Sequence, residues 1–281
     1  MKISIISINY NDKIGFEKTI ESVVNQTYQD FEFLVIDGNS SDGSTEIIEK
    51  YKSKINYWVS EPDSGIYNAM NKGILAAKGE YVIFMNAGDI FYDQNVLLQV
   101  IPLLSSEIGI YYGNLVFSNN QKPSKIFVPP SKLTFSFFID YSLPHPASFI
   151  KKELFEKFFY YNENLKIVSD WEFFIYCICK QNCSYKYLDF TIANFDESGI
   201  SSVPENANKI LLERETVLQN HFPMFLEDVK SLNLVNSKKI RQIIELKSNK
   251  LQWKILKAFV NILSIFKPKI TSNVNKYFTN F

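Results

Sequence analysis

The acids and amides of this chain gather where apolar runs stop. "YVIFMN" gives way to Ala87-Gly88-Asp89, so one amide, Asn86, and one carboxylate, Asp89, close a run of strand formers. "KISIISIN" passes into Asn9-Tyr10-Asn11-Asp12, and "FEFLVID" runs into "DGNSSDGST" from Asp37. "INYWVS" is followed by "EPDSGIYNAMNKG", which holds Asp63, Gly65, Asn71 and Lys72. Asn, Asp, Gly and Ser are ordinary turn residues, so one such junction implies only a turn. Four of them could bind a polar ligand, and Asp89 raises the prospect of a metal-diphosphate site built on hard oxygen ligands. Ser169-x-x-Glu172 has the spacing of a capping box, which would place Asp170 in the first turn of a helix, where the dipole favours an acid. His145, between Pro144 and Pro146, is one of two histidines; the other, His221, has no evident partner.

The intervening segments must position these groups. Apolar strand-like runs alternate with helical spacing, as in Phe16, Ile20, Val23 and Val24 or Ile47, Ile48 and Tyr51. Residues 66–78 suit a further helix. Strand–helix alternation predicts an α/β fold with parallel strands and right-handed crossovers. In such folds ligands sit beyond the carboxyl ends of the strands, where the four polar junctions fall. Further on, "GIYYGNLVF" and "SKIFV" suit antiparallel strands within an irregular 108–150 region. A helix is predicted over 169–181, a strand over 184–195, a helix over 203–220, and helical segments beyond about 229.

Several classes are disfavoured. Gly38 to Gly43 has the spacing that opens a Walker A loop, but Ser44 stands where the lysine belongs. No G-x-G-x-x-G fingerprint is present. Asp42 reads as a helix cap before "GSTEII". Cys177, Cys179 and Cys183 share one helix with no nearby histidine, which fits reduced thiols better than zinc or a disulfide framework. The opening "MKISIISINY" does not match a signal peptide, and no apolar run is long enough to span a bilayer. A cytoplasmic protein is expected.

The order "SINYND … VIDGNSSDGST … EPDSGIYNAMNKGI … YVIFMNAGD … SDWEF" resembles the family 2 inverting glycosyltransferases of the GT-A fold over about residues 1–200, especially members from bacterial surface-polysaccharide clusters. The resemblance implies a Rossmann-like, mostly parallel sheet that binds a nucleotide-sugar, with UDP the usual carrier. The acceptor would be a hydroxyl of a glycan or a lipid-linked oligosaccharide. On this resemblance Asn9 and Tyr10 would lie by the nucleoside, with Asp37 accepting from a base N–H. Asp63, Gly65, Asn71 and Lys72 would contact base, ribose or diphosphate, although Lys72 reads equally as a solvated lysine. Asn86 would bond the ribose or a metal-bound water, and Asp89 would hold Mn²⁺ or Mg²⁺. Asp170 would be the base that takes the acceptor's proton. His145 reads equally as an acceptor or diphosphate contact and as a packed turn residue. "NFDESGIS", residues 194–201, resembles a flexible loop that covers the donor, with Asp196 as a turn residue. The family's metal motif is usually D-x-D, so Asn86 and Gly88 stand at acid positions and predict weakened metal affinity.

Charge divides the chain. From residue 229 onward eleven Lys and Arg face one acid, a balance of +10 that leaves −10 for residues 1–228. In "LQWKILKAFVNILSIFK", residues 251–267, Lys254, Lys257, Asn261 and Ser264 form one narrow stripe on an otherwise apolar helix. Such a helix must pack on the body or lie in a membrane interface with lysines on anionic headgroups. The charge excess favours peripheral attachment to the inner face of the membrane. Only two arginines and no recognised motif argue against nucleic acid. The expected organisation is a GT-A domain over 1–225 and a basic helical extension over 226–281. A non-catalytic nucleotide-sugar-binding protein is the alternative that the thinned metal motif leaves open. A nucleotidyltransferase would need basic residues near the first loop, which offers only Lys13.

Overall fold

The computed structural model describes residues 2–119, 122–197, 199–235 and 238–265. They fall into two compact units that meet between Met224 and Phe225. The first half of the larger unit alternates as the sequence predicts: β1 (Ile3–Asn9), α1 (Lys13–Val24), β2 (Glu32–Asp37), α2 (Ser44–Tyr51), β3 (Tyr57–Ser60), α3 (Ile66–Ala76) and β4 (Tyr81–Phe84). The four strands lie in the order β3-β2-β1-β4, all parallel. Strands β1, β2 and β4 are buried along their lengths, which explains why they read as mostly apolar runs, with Ser4 and Ser7 of β1 bonding to Glu32 and to the Met85 carbonyl. Helix α1 is capped by Asp12, which accepts from the Gly15 N–H at 2.9 Å, and it buries Phe16, Ile20 and Val23.

The second half comprises β5 (Ile90–Phe91), α4 (Val96–Val100), β6 (Ile110–Asn119), β7 (Lys122–Phe127), α5 (Phe135–Asp140), β8 (Ser148–Lys151), α6 (Glu153–Lys157), α7 (Ser169–Ile175), β9 (Tyr185–Asp196) and α8 (Ala207–His221). The sheet continues from β4 through β8, β6 and β9 to β5, and β7 pairs antiparallel with β6 as expected. Strand β8 runs antiparallel to both β4 and β6, while β9 is parallel to β6. Neither β8 nor β5 is legible in the sequence, because each is too short to show a period. The helix expected over 169–181 is α7 followed by one wide π turn at Tyr176–Lys180.

One expectation is corrected here. Residues 194–196 are not a loop: they end β9, where Asn194 pairs with Ile90 of β5 and Asp196 with Ser118 of β6. Asp196 is therefore a strand residue rather than a turn residue.

The smaller unit contains α9 (Leu226–Val235), α10 (Lys238–Glu245) and α11 (Lys250–Ile265). Leu251, Ile255, Phe259, Ile262 and Ile265 of α11 are exposed. Among the described residues no helix is long and apolar enough to cross a membrane. Phe266 and Lys267, Lys269 and Lys276 of the predicted basic tail lie outside the described residues.

Candidate active site

The parallel order brings the carboxyl ends of β1, β2, β3 and β4 to one edge, where a cleft of about 910 Å³ opens. Asn9, Tyr10, Gly38, Asp63, Gly65 and Asn86 are in its walls. Gly38 lets two of them approach each other. A Cβ there would stand 2.6 Å from Asp63 Oδ2 and 3.0 Å from Tyr10 Cδ2, so the missing side chain is what keeps this slot open. Asp63 Oδ1 accepts from the Gly65 N–H at 3.0 Å, and Gly65 takes φ +135°, a conformation that favours glycine. The carboxylate is thereby fixed with Oδ2 toward the slot.

Asp37 serves the site indirectly. It is wholly buried, and its two oxygens accept from Asn9 Nδ2 (2.8 Å), Ser40 Oγ (2.6 Å), the Ser40 N–H (2.9 Å) and Ser60 Oγ (2.6 Å). Those four bonds fill the acceptor capacity of a carboxylate. The expected bond from Asp37 to a base N–H is thus replaced by a scaffold role, and the acids that line the cleft are Asp63 and Asp12, the latter spent in part on capping α1. Asn9 also spends its amide inward, on Asp37 and Ser40. Asp42 is not the cap expected of it: Gly43 occupies the cap position of α2, while Asp42 accepts from the Ser44 N–H and hydroxyl and from the first N–H of α1 at Lys13.

Two residues of the third junction are likewise turned away. Asn71 is buried and locks α3 to the 161–163 segment, donating to Tyr161 O and Glu163 Oε1 and accepting from the Tyr161 N–H. Lys72 pairs with Glu61 at 2.7 Å and donates to Pro62 O. Neither lines the cleft. Two lysines do, Lys166 and Lys209; among the described residues the Lys166 Nζ makes only a long 3.4 Å contact, with Glu163 O.

Behind the cleft lies a chamber of about 90 Å³ lined by Asn86, Asp89, His145, Lys166 and Asp170, among others. Asp89 is buried, and burial pushes its carboxyl up to about 8; the nearby Asp196 charge adds to this, while N–H donors from Asp196 and Asn86 oppose it. The Asp196 N–H donates to Asp89 Oδ1 at 3.2 Å. The Asn86 Oδ1 is buried without a partner. Among the described residues no three His, Cys, Asp or Glu side chains converge as a metal cage. One acid and one orphaned amide oxygen nonetheless suit a hard cation that takes its remaining ligands from phosphate and water.

Asp170 sits at the start of α7, and its Oδ1 accepts from the Tyr67 hydroxyl at 3.0 Å. Burial first, then the Asp170 charge, holds the Tyr67 phenol well above its ordinary range, so it remains a donor. The capping box does not form. Val168 occupies the cap position, Ser169 Oγ accepts from the Asn162 N–H at 2.6 Å, and Glu172 pairs with His221 at 2.9 Å. What holds the helix start is Glu213 of α8, which accepts from the N–H groups of Lys166, Ile167 and Val168. His221, eight residues along α8, thus gains a partner that the sequence does not reveal. His145 stacks on Phe84 at 4.6 Å and bonds Tyr161 through Nε2 at 2.8 Å. Burial keeps its imidazole below the usual range despite the Asp170 charge. It is a packed, neutral histidine that also borders the chamber.

A nine-stranded α/β sheet with an acid-lined cleft beyond its parallel strands is the GT-A type of glycosyltransferase scaffold. Residues 4–159 match the model of glycosyl transferase family 2, and the chain belongs to that family. It is 30% identical over 206 residues to an uncharacterized glycosyltransferase of Mycobacterium tuberculosis, covering 71% of this chain and 77% of the relative. An Escherichia coli UDP-Glc:alpha-D-GlcNAc-diphosphoundecaprenol beta-1,3-glucosyltransferase is 32% identical over 135 residues, covering 48% of this chain and 53% of that protein. Among solved structures, S. aureus TarS 1-349 in complex with UDP-GlcNAc superimposes with a TM-score of 0.62 at 19% identity, covering 90% and 78% of the two chains. A Pyrobaculum calidifontis mannosyltransferase in complex with GDP-Man and Mn²⁺ gives 0.58 at 16% identity, covering 95% and 81%.

Proposed function

We propose that this enzyme transfers one sugar, with inversion, from a UDP-sugar to a hydroxyl of a glycan or lipid-linked oligosaccharide used in surface-polysaccharide synthesis. The observation that carries this reading is the chamber that Asp89 and Asp170 share between the cleft and a second pocket. The likeness to the UDP-Glc:alpha-D-GlcNAc-diphosphoundecaprenol beta-1,3-glucosyltransferase, over 53% of that protein, supports a lipid-linked acceptor.

Tyr10 offers its exposed ring to the base, and Asp63 Oδ2 accepts from a base N–H. Lys166 borders both cleft and chamber, so its ammonium meets the diphosphate where negative charge accumulates as the bond to the sugar breaks. Asp89 and Asn86 Oδ1 would hold a divalent cation, which supplies Lewis-acid stabilisation to the departing diphosphate. Asp170, aimed by the Tyr67 hydroxyl, takes the proton of the acceptor hydroxyl. The acceptor oxygen then forms a bond to the anomeric carbon as the bond from that carbon to the diphosphate oxygen breaks, and UDP departs. Attack from the face opposite the leaving group inverts the anomeric centre. Helix α11, apolar and exposed, is the attachment to an anionic membrane surface, with Lys250, Lys254 and Lys257 near the headgroups.

The test is calorimetric titration of UDP in Mn²⁺ and in EDTA, with turnover of Asp170→Asn beside it. Metal-dependent UDP binding is expected, together with an Asp170→Asn enzyme that binds UDP normally and transfers nothing. Unchanged turnover in that variant removes Asp170 as the base. Absence of UDP binding under both conditions removes the donor assignment.

A further inference from the structure

The second pocket, about 560 Å³, adjoins the chamber and shares Asp170 and His145 with it. Its walls are largely apolar and aromatic, including Phe117, Phe127, Tyr141 and Trp171. Into this surface α8 sends Arg214. Its guanidinium carbon lies 4.8 Å from the centre of the Trp171 ring, and the indole is itself fixed by a 2.7 Å bond from Nε1 to Phe138 O. One nitrogen, Nη1, donates to Ile139 O at 3.2 Å, whereas Nε is buried with no partner. Of the two cations lining the pocket, Lys125 is paired with Glu197 at 3.2 Å. Among the described residues no carboxylate pairs with Arg214; Asp170 and Asp140 act on it only through space.

Arg214 is half-buried, its Nε lies out of water with no partner, and Asp170 and Asp140 act on it from beyond ion-pair distance; the planar fork of a guanidinium matches a phosphate or carboxylate with two parallel bonds. Aromatic faces beside it suit the apolar side of a sugar ring or a lipid segment. A hydroxyl of a neutral acceptor would accept from Nε but would leave the guanidinium charge without a directly bonded anion. We propose that this pocket holds the acceptor and that Arg214 selects one carrying an anionic group, a phosphate or a carboxylate, beside the sugar that is extended. The proposal rests on Asp170 as the base, because that residue joins the pocket to the donor side.

The test uses the full chain and three probes that share one apolar arm: 3-phenylpropyl phosphate, 3-phenylpropionate and 3-phenylpropanol. Each is titrated calorimetrically into wild type, Arg214→Met, which keeps the stem over Trp171, and Arg214→Lys, with UDP titrated in parallel. One anion should bind the wild type at least about tenfold more tightly than the alcohol, on the scale of charge-assisted hydrogen bonds. Preference for the phosphate names a phosphorylated acceptor, and preference for the propionate an acidic sugar. Arg214→Met should remove that preference, and Arg214→Lys should weaken it, while UDP affinity stays unchanged. Equal binding of anion and alcohol to the wild type, or a preference that survives in both variants, overturns the proposal. If Arg214→Met has lost UDP binding through misfolding, Arg214→Lys decides, and an undiminished preference there also overturns it. Wild type that binds the anion but not UDP sinks the donor reading and leaves the anion site standing.

Discussion

Replacing Asp89 by Asn should make the ligand-free protein more stable as pH rises, by an amount the burial of this carboxyl sets. The group titrates near its ordinary 3.8 when unfolded and at about 8 when folded. Between those values the folded state holds a proton that the unfolded state has lost. Stability therefore falls as pH rises, by up to about 1.4 kcal/mol per pH unit. The contribution is fully present below pH 4 and lost by the time pH passes 8. From pH 5 to pH 7 the loss amounts to about 2–3 kcal/mol. Asn carries no such titration. The stability of Asp89→Asn relative to wild type should widen by that amount between pH 5 and 7, and stop widening above about pH 8. Asp196, Asp170, His145 and Lys166 surround the site in both proteins, so their own titrations largely cancel in the difference. Urea unfolding at half-unit pH intervals, without metal, measures it. A gap that stays flat across pH 5–7 refutes the assignment of a buried, protonated Asp89, whatever the offset between the two proteins. The same reasoning makes Mn²⁺ affinity rise with pH below 8, because the ion must displace that proton.

Gly38→Ala should lower UDP affinity about tenfold by pushing Asp63 Oδ2 out of the slot, with little change in urea midpoint; unchanged affinity would show that the slot does not hold the base. Glu213→Ala leaves three backbone N–H groups without their acceptor and should cost about 1–3 kcal/mol, lowering kcat while the UDP Kd holds. An unaltered kcat at lowered stability would confine Glu213 to the fold. Deleting residues 250–281 should abolish sedimentation with phosphatidylglycerol vesicles and preserve UDP binding. If the full chain never sediments with them, the interfacial role of α11 is wrong.

The strands β1, β2 and β4 were legible because parallel strands buried on both faces are mostly apolar, the buried Ser4 and Ser7 of β1 being small enough to bond within the sheet, and clusters of polar residues mark where the strands end. Which polar residue turns inward was not. Asp37 and Asp63 look alike in sequence, yet the Ser40 and Ser60 hydroxyls claim the first and leave the second facing the cleft. Lys72 and Lys166 differ in the same way, since Glu61 captures one while the other has only a weak carbonyl contact. Tyr67 reaches Asp170 across 103 residues of chain, Glu213 reaches Ile167 across 46 and Arg214 reaches Ile139 across 75, separations no local pattern reports. Ser169-x-x-Glu172 had the right spacing for a cap, but His221 and the Asn162 N–H compete for its side chains and win.

The saturated carboxylate of Asp37 has a kinetic corollary. With its four bonds made before any ligand arrives, Asp37 holds Asn9, Ser40 and Ser60 in place, so little of the ordering cost at the turn after β2 falls on nucleotide binding. Association with UDP should then be a single bimolecular step, its observed rate rising linearly with concentration and limited by collision and orientation rather than by rearrangement of the loop.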